Sequence, residues 1–140
     1  MSDETPSLST GLFKGLTPED ADGILQAGER MSFAAGTAIF EAGDAGDAMF
    51  VVASGQARVD VGGRFHIMKP GDFFGEMALL APGPRMATVK AEEDVEAIKI
   101  GADEFQAFLL SHPAVAVSMM KQLVIRLREV EQRIDAWMAN

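Results

Sequence analysis

Pairs of turn residues cut the middle of this chain into pieces too short for anything but strands. Ala35-Gly36, Gly43-Asp44 through Gly46-Asp47, Ser54-Gly55, Gly62-Gly63 and Pro70-Gly71 all fall between residues 30 and 100. The runs they separate are "MSF", "TAIF", "AMFVVA", "QARVDV", "RFHIMK", "ATVKA" and "VEAIKI". Valine, isoleucine and phenylalanine recur in them and suit a pleated, half-buried surface. Turn signals at intervals of roughly 8–12 residues mark an antiparallel sandwich, barrel or jelly roll. Gly62-Gly63 suits a two-residue hairpin turn, and Pro70-Gly71 suits the central pair of a type II turn.

Helices are expected on both sides of this segment. Upstream, Thr17 is an N-cap, Pro18 stands at the first helical position, Glu19 and Asp20 lie in the first turn, and Gly28 follows the end. Phe13, Leu16, Ile24 and Leu25 are the residues this short helix can bury. Downstream, "DEFQAFLL" reads as a short helix, "SHPAV" breaks and restarts the chain at Pro113, and one long helix runs to Met138. Its apolar stripe, Ala116, Met120, Leu123, Leu127, Val130, Ile134 and Trp137, alternates steps of four and three. As a heptad seam it puts Met120, Leu127 and Ile134 at a, the others at d, and Arg126 at g opposite Glu131 at e of a second parallel copy. The same stripe can instead pack on the chain's own roll, and a helix this long overruns a small roll, so both readings stay open.

The fold class expected is therefore α+β: an antiparallel β-roll or jelly roll of about eight strands, with an N-terminal helix and two C-terminal helices. With 140 residues, the chain has the length for one core. One domain is expected, with a tail and helix over 1–28, the roll over 29–101 and the helices over 102–140. The net charge of −9 argues against a nucleic-acid surface, which needs clustered lysine and arginine. There is no cysteine, hence no disulfide or thiolate site. No apolar run is long enough to span a bilayer. The polar, acidic start "MSDETPSLSTG" lacks the pattern of a secretory signal. A cytoplasmic protein is the expectation, with no membrane partner.

One stretch departs from the strand-and-turn pattern. In "GDFFGEMALLAPGPRMATV", two phenylalanines give way to Gly75, which permits a sharp change of direction and close backbone approach. Glu76-Met77-Ala78-Leu79-Leu80 can then form one helical turn whose free N–H groups face an anion, and small Ala78 lets a ligand oxygen near the main chain. Arg85 opens the next strand with a guanidinium suited to bidentate phosphate contact. Glu76 is wrong for phosphate and right for a sugar hydroxyl, and it can hold Arg85 in the absence of a ligand. A permanent Arg85–Glu76 salt bridge is the structural alternative.

This stretch resembles the phosphate-binding cassette of the cyclic-nucleotide-binding domain family, roughly F-G-E-[LMI]-A-L, a short spacer, then R-x-A-[TSA]-V. The likeness extends to "FKGLTPEDADGIL", "GTAIFEAGDAGDAMFVVASGQARV" and "FQAFLLSHPAVAVSMMKQLVIRLRE", so it covers Leu12 to Glu129 in the family's order, with the cassette at 75–88. The resemblance implies that Arg85 pairs with a cyclic phosphate beside Gly75 and Ala78, with Met77 and Met86 flanking, and that Glu76 holds the ribose 2′-hydroxyl. It implies base contacts from the long C-terminal helix, for which Arg126, Arg128, Arg133 and Trp137 are candidates. Many members carry threonine or serine where this chain has Met86, so a hydroxyl-dependent preference for cGMP loses its donor and cAMP is the favoured ligand, with cGMP second. Thr88 is expected to belong to the roll.

The function expected is a regulatory module that binds a cyclic nucleotide and signals by moving its C-terminal helices, with an effector protein as partner and a homodimer through the C-terminal helix as the other assembly the heptad seam allows. The alternative is a related interaction or dimerisation module that binds no nucleotide. The start of the chain reads like a natural N-terminus and favours a stand-alone sensor. Catalysis is not expected: His66 and His112 are the only histidines, too few for cupin-like metal chemistry. Each is expected to be structural or solvent-facing, and Ser54 and Ser111 lie in turn or cap contexts.

Overall fold

A computed structural model of the chain describes residues 11–61, 63–81 and 83–139, with side chains except those of Val61 and residues 134–139. Gly62 of the expected hairpin turn and the side chain of Trp137 thus lie outside the described residues. After a 3-10 turn at Gly11–Phe13, helix α1 (Pro18–Gln26) begins at its expected cap: the Thr17 hydroxyl accepts from the Asp20 N–H at 3.2 Å. Eight strands follow, β1 (Glu29–Phe33), β2 (Ala38–Phe40), β3 (Ala48–Ser54), β4 (Ala57–Val61), β5 (Arg64–Met68), β6 (Phe73–Phe74), β7 (Thr88–Ala91) and β8 (Val95–Gly101). Helix α2 (Met77–Leu80) interrupts them, and α3 (Ala102–Ser111) and α4 (Pro113–Ala139) close the chain. The turn at Pro70-Gly71 forms as expected, with Gly71 at φ 93° and the Asp72 N–H donating to Lys69 O at 2.8 Å.

The strands make two antiparallel four-stranded sheets, ordered β1-β8-β3-β6 and β2-β7-β4-β5, and together they are the β-roll expected. Strand alternation builds two cores from one sheet. Along β3, Met49 and Val51 face the helices, where they meet Phe13, Ile24, Ile98, Phe105, Val115 and Met119. The alternate residues Phe50 and Val52 face the second sheet and meet Val59, Phe74, Val89 and Val95. A strand buried on both faces reads as a continuous apolar run, which is what "AMFVVA" is. Phe50 stacks on Phe74 at 5.4 Å between centroids, and Phe40 tilts against both.

The two closing helices bend by 112° across His112, whose ring stacks on Phe108 at 4.4 Å, the structural place expected for it. α4 is anchored at its first turns: Val115 and Met119 are buried, and the buried Ser118 hydroxyl donates to Leu12 O at 2.7 Å. The 27-residue helix then runs on for a total of roughly 40 Å. The heptad stripe divides as it goes. Ala116 and Leu123 are half-buried, Leu123 against the helix-side core, whereas Met120, Leu127 and Val130 are exposed beside Val117 and Val124. The stripe is therefore part core and part open face. No single helix among the described residues is long and apolar enough to cross a membrane.

Candidate functional site

Gly75 ends β6 at φ +83°, a conformation L side chains rarely adopt. The turn aims its carbonyl at Arg85, whose Nη1 donates to Gly75 O at 3.0 Å while Nη2 donates to Ala48 O at 2.6 Å. Arg85 lies in the loop before β7, which begins at Thr88, rather than opening that strand, and its backbone is pinned on both sides: the Arg85 N–H donates to Asp44 O at 2.7 Å, and the Gly43 N–H donates to Arg85 O at 2.8 Å. The guanidinium carbon lies 4.0 Å over the Phe40 ring, a cation–π seat at the wall of the aromatic core. Arg85 is buried, and its Nε is the single buried side-chain nitrogen or oxygen among the described residues with no hydrogen-bond partner. Burial pushes its pKa below the usual arginine value, and the negative charges of Asp47, Asp44 and Glu76 oppose that shift. A buried arginine still carries its charge, so the pocket holds a cation with an unused donor.

Helix α2 forms where expected, with Glu76 at its N-cap. The Leu79 and Leu80 N–H groups donate to Glu76 O and that of Ala81 to Met77 O, so the amides of Met77 and Ala78 are the first-turn donors without a helical acceptor. Two glycines pack against Arg85 where no side chain would fit. A Cβ on Gly75 would stand 2.8 Å from Arg85 Nη1, and one on Gly46 would stand 2.4 Å from the Ala78 Cβ and 3.2 Å from the Arg85 guanidinium carbon. Gly46 thus belongs to the site, although its φ is ordinary and "GDAGDA" reads as turn sequence. Phe40, Asp44, Asp47 and Ala48 likewise reach Arg85 through the fold, and no local spacing points to them.

The Arg85–Glu76 ion pair considered from the sequence does not form. The buried Glu76 carboxylate instead faces Arg126 of α4, whose Nη1 lies 3.5 Å from Oε1. Arg126 also donates from Nη2 to Phe73 O at 2.5 Å and sits 4.2 Å over the Phe73 ring. Arg85 prefers the two backbone carbonyls because β3 and the β6–α2 turn converge on it, and α4 crosses on the Glu76 side. The same contacts correct the heptad assignment of Arg126, which turns inward to its own roll rather than outward toward Glu131 of a second copy.

The other sequence candidates spread out. Met77 is exposed on α2, and Met86, next to Arg85, is 72% exposed. Arg128 and Arg133 are exposed on α4, with Arg133 Nε donating to Glu129 O at 3.4 Å. Trp137 lies on α4 by its backbone. The Thr88 hydroxyl accepts from the Ala42 N–H at 3.0 Å, as a roll residue. His66 is exposed on β5. No group of three or more histidine, aspartate or glutamate residues suited to a metal ion occurs among the described residues.

Residues 30–112 match the family described as "Cyclic nucleotide-binding domain". The "Cyclic AMP receptor protein" of Thermus thermophilus is 37% identical over 130 residues, which make up 89% of this chain and 60% of that protein. A "cGMP-dependent protein kinase" of Toxoplasma gondii is 40% identical over 96 residues, 68% of this chain and 10% of the kinase. Among solved structures, the Catabolite Activator Protein of Thermus thermophilus superposes with a TM-score of 0.80 at 36% identity, covering 92% of this chain and 63% of that one. This chain spans less than two thirds of each of these three. Its matched segment and its eight-stranded roll make it a member of the cyclic nucleotide-binding domain family.

Proposed function

We propose that the chain is a regulatory module that binds a cyclic nucleotide, cAMP in preference to cGMP, and reports occupancy through α4. One observation carries the reading: Arg85 is buried with an unpaired Nε, and Gly46 packs against both its guanidinium and Ala78 of the first turn of α2. A phosphate placed there satisfies the orphan donors of both, and the tight fit at Gly75, Gly46 and Ala78 keeps larger side chains out of its way. The ribose 2′-hydroxyl then donates to Glu76. Met86 offers no hydroxyl to guanine, which favours cAMP, and the relatives' own names, a cyclic AMP receptor and a cGMP-dependent kinase, fit a cyclic nucleotide of one kind or the other.

The signal follows from the neighbour of Glu76. A ribose hydroxyl on Glu76 competes with Arg126 for the same carboxylate, so ligand and α4 position are coupled through one group. A ligand shifts an equilibrium only by binding its states unequally, and this shared carboxylate supplies the inequality. In this reading the module does no chemistry on its ligand and works in the cytoplasm. The exposed face of α4, with Met120, Leu127 and Val130, meets a second copy or an effector protein, and neither nucleic acid nor membrane is a partner of this segment.

Calorimetric titration with cAMP and cGMP tests the proposal, on protein refolded from denaturant to strip carried ligand. Arg85→Ala removes one partner of a buried charge-assisted pair, for which losses of roughly 2–5 kcal/mol are typical, or about 30-fold to several-thousand-fold in affinity. Equal affinity in Arg85→Ala refutes the phosphate assignment. No heat and no thermal shift with either nucleotide in the parent leaves the interaction-module reading, supported by the open face of α4.

A further inference from the structure

The loop that wraps Arg85 brings carboxylates with it. Between β2 and β3 the chain closes around the arginine: Gly43 and Asp44 make backbone hydrogen bonds with Arg85, Ala45 forms a β-bridge with Pro84, Gly46 abuts the guanidinium, and Ala48 O accepts from Nη2. Asp44 and Asp47 ride on this loop, and both are exposed. Neither is ion-paired with Arg85: among the described residues the salt bridges are Arg30–Glu96, Arg58–Asp60 and Arg126–Glu76. An Asp44 carboxylate oxygen instead accepts from the Glu41 N–H at 3.0 Å. Burial pulls the Arg85 pKa down and the charges of Asp47, Asp44 and Glu76 oppose that pull, so the field of all three reaches the guanidinium.

The phosphate position is therefore poor in positive charge. Arg85 supplies one cation, and Arg126 is already turned to Glu76. Ala48 and Gly75 contribute carbonyls and Phe40 a ring, and among the described residues no histidine contacts Arg85. A ligand with one negative charge is matched by Arg85 and the first-turn amides of α2. A second negative charge on the same ligand meets Asp44 and Asp47 with no cation left to answer it. Like charges a few ångströms apart near a protein surface weaken binding by roughly three- to ten-fold per pair after screening.

Resting on the cyclic-nucleotide reading, we propose that Asp44 and Asp47 make the site a charge filter, which accepts a singly charged phosphodiester and rejects a doubly charged phosphate monoester, the class to which 5′-AMP belongs. A cyclic phosphate has one ionised oxygen. A monoester carries about −1.5 to −2 at pH 7, its second pKa lying near 6. The two ligands are related by one reaction with water: the water oxygen bonds to phosphorus, one hydrogen goes to O3′ as the P–O3′ bond breaks, and the new P–OH ionises. Opening the ring thus adds the charge that the loop repels. The module reads the intact ring and ignores its hydrolysis product.

The experiment measures affinities for cAMP, and for 5′-AMP by displacement of bound cAMP, in the parent chain, Asp44→Asn, Asp47→Asn and Arg85→Ala. Each is titrated at about pH 5.5 and about pH 7.5, on either side of the monoester pKa, with thermal unfolding as the control for folding. Asparagine keeps the size and an acceptor oxygen and removes the charge. In the parent, the preference for cAMP over 5′-AMP is expected to fall by at least about three-fold at the lower pH, where the monoester is mostly singly charged. Each asparagine variant is expected to cut the preference at the higher pH by about three- to ten-fold, chiefly through tighter 5′-AMP binding, and to flatten its pH dependence. A preference within about two-fold of the parent in both variants, or a parent preference that is the same at the two pH values, while Arg85→Ala loses cAMP, means that shape excludes the monoester and overturns this inference alone. A parent that binds no cyclic nucleotide overturns it together with the functional reading.

Discussion

Replacing Arg126 by methionine tests whether α4 is held to the cassette by the contacts seen. The change keeps an unbranched apolar stem and removes the guanidinium. Three interactions go with it. The charge-assisted bond to Phe73 O, at 2.5 Å, is the largest, of a kind worth about 1.5–3 kcal/mol. The ion pair with Glu76 spans 3.5 Å, and the arginine side chain is 33% exposed, so solvent screening limits it to about 1 kcal/mol or less. Stacking over the Phe73 ring adds about 0.5–1 kcal/mol. Because one group makes all three, the terms do not simply add, and the expected loss is about 2–4 kcal/mol. For a chain of this length that lowers Tm by roughly 6–15 °C.

Denaturant unfolding followed by far-UV circular dichroism measures the loss, with Arg128→Met as the control. Arg128 is exposed on the same helix, and a surface change of that kind stays within about 0.5 kcal/mol. Combining Arg126→Met with Glu76→Gln separates the ion pair from the rest, and a coupling of about 1 kcal/mol or less is expected. An Arg126→Met chain as stable as the Arg128→Met control refutes the argument: α4 would then be free of the cassette, and Glu76 could not transmit occupancy through Arg126.

Three further outcomes follow from the packing. Gly75→Ala forces a side chain into a positive-φ conformation and against Arg85 Nη1. It should cost about 1–2 kcal/mol from the backbone alone and weaken nucleotide binding with it, and a fully stable, fully binding Gly75→Ala chain contradicts the site geometry. Ser118→Ala strips a buried donor from Leu12 O and should destabilise by about 1–3 kcal/mol in the same unfolding assay. Met120→Glu with Leu127→Glu places charge on the open face of α4 and should abolish self-association in sedimentation without lowering Tm. An unchanged sedimentation coefficient in a chain that does self-associate moves that contact off this face.

Much of the roll could be read along the chain because its signals are local. Thr17, Pro18 and the Pro70-Gly71 turn act through their own backbone neighbours, and they occur in the structure as the residue chemistry requires. The helical turn after Gly75 could be read for the same reason. Arg85 and Glu76 could be recognised as unusual, but not paired, since pairing depends on which carbonyls and cations other elements deliver. Ala48 lies 37 residues from Arg85 and Arg126 lies 50 from Glu76, and no spacing rule reaches that far. Gly46 is not legible from the sequence because its constraint is steric and comes from Ala78 and Arg85 across the fold, whereas glycine in a turn already has a sufficient local explanation.

The long helix shows the division most clearly. Its heptad spacing follows from side-chain periodicity and is a property of the sequence alone. Which rows of that stripe are covered depends on where Ser118, Val115 and Met119 anchor α4 and on the bend at His112. Packing against a particular roll rotates the helix about its axis, and that rotation sends Leu123 and Arg126 inward while leaving Met120, Leu127 and Val130 in the open. Element type, caps, turns and the candidate anion-binding turn were determined by the order of residues, because each is decided within a few bonds. The partners of Arg85, Glu76 and Arg126 were decided by tertiary structure, because packing chooses among contacts that local chemistry leaves equally open.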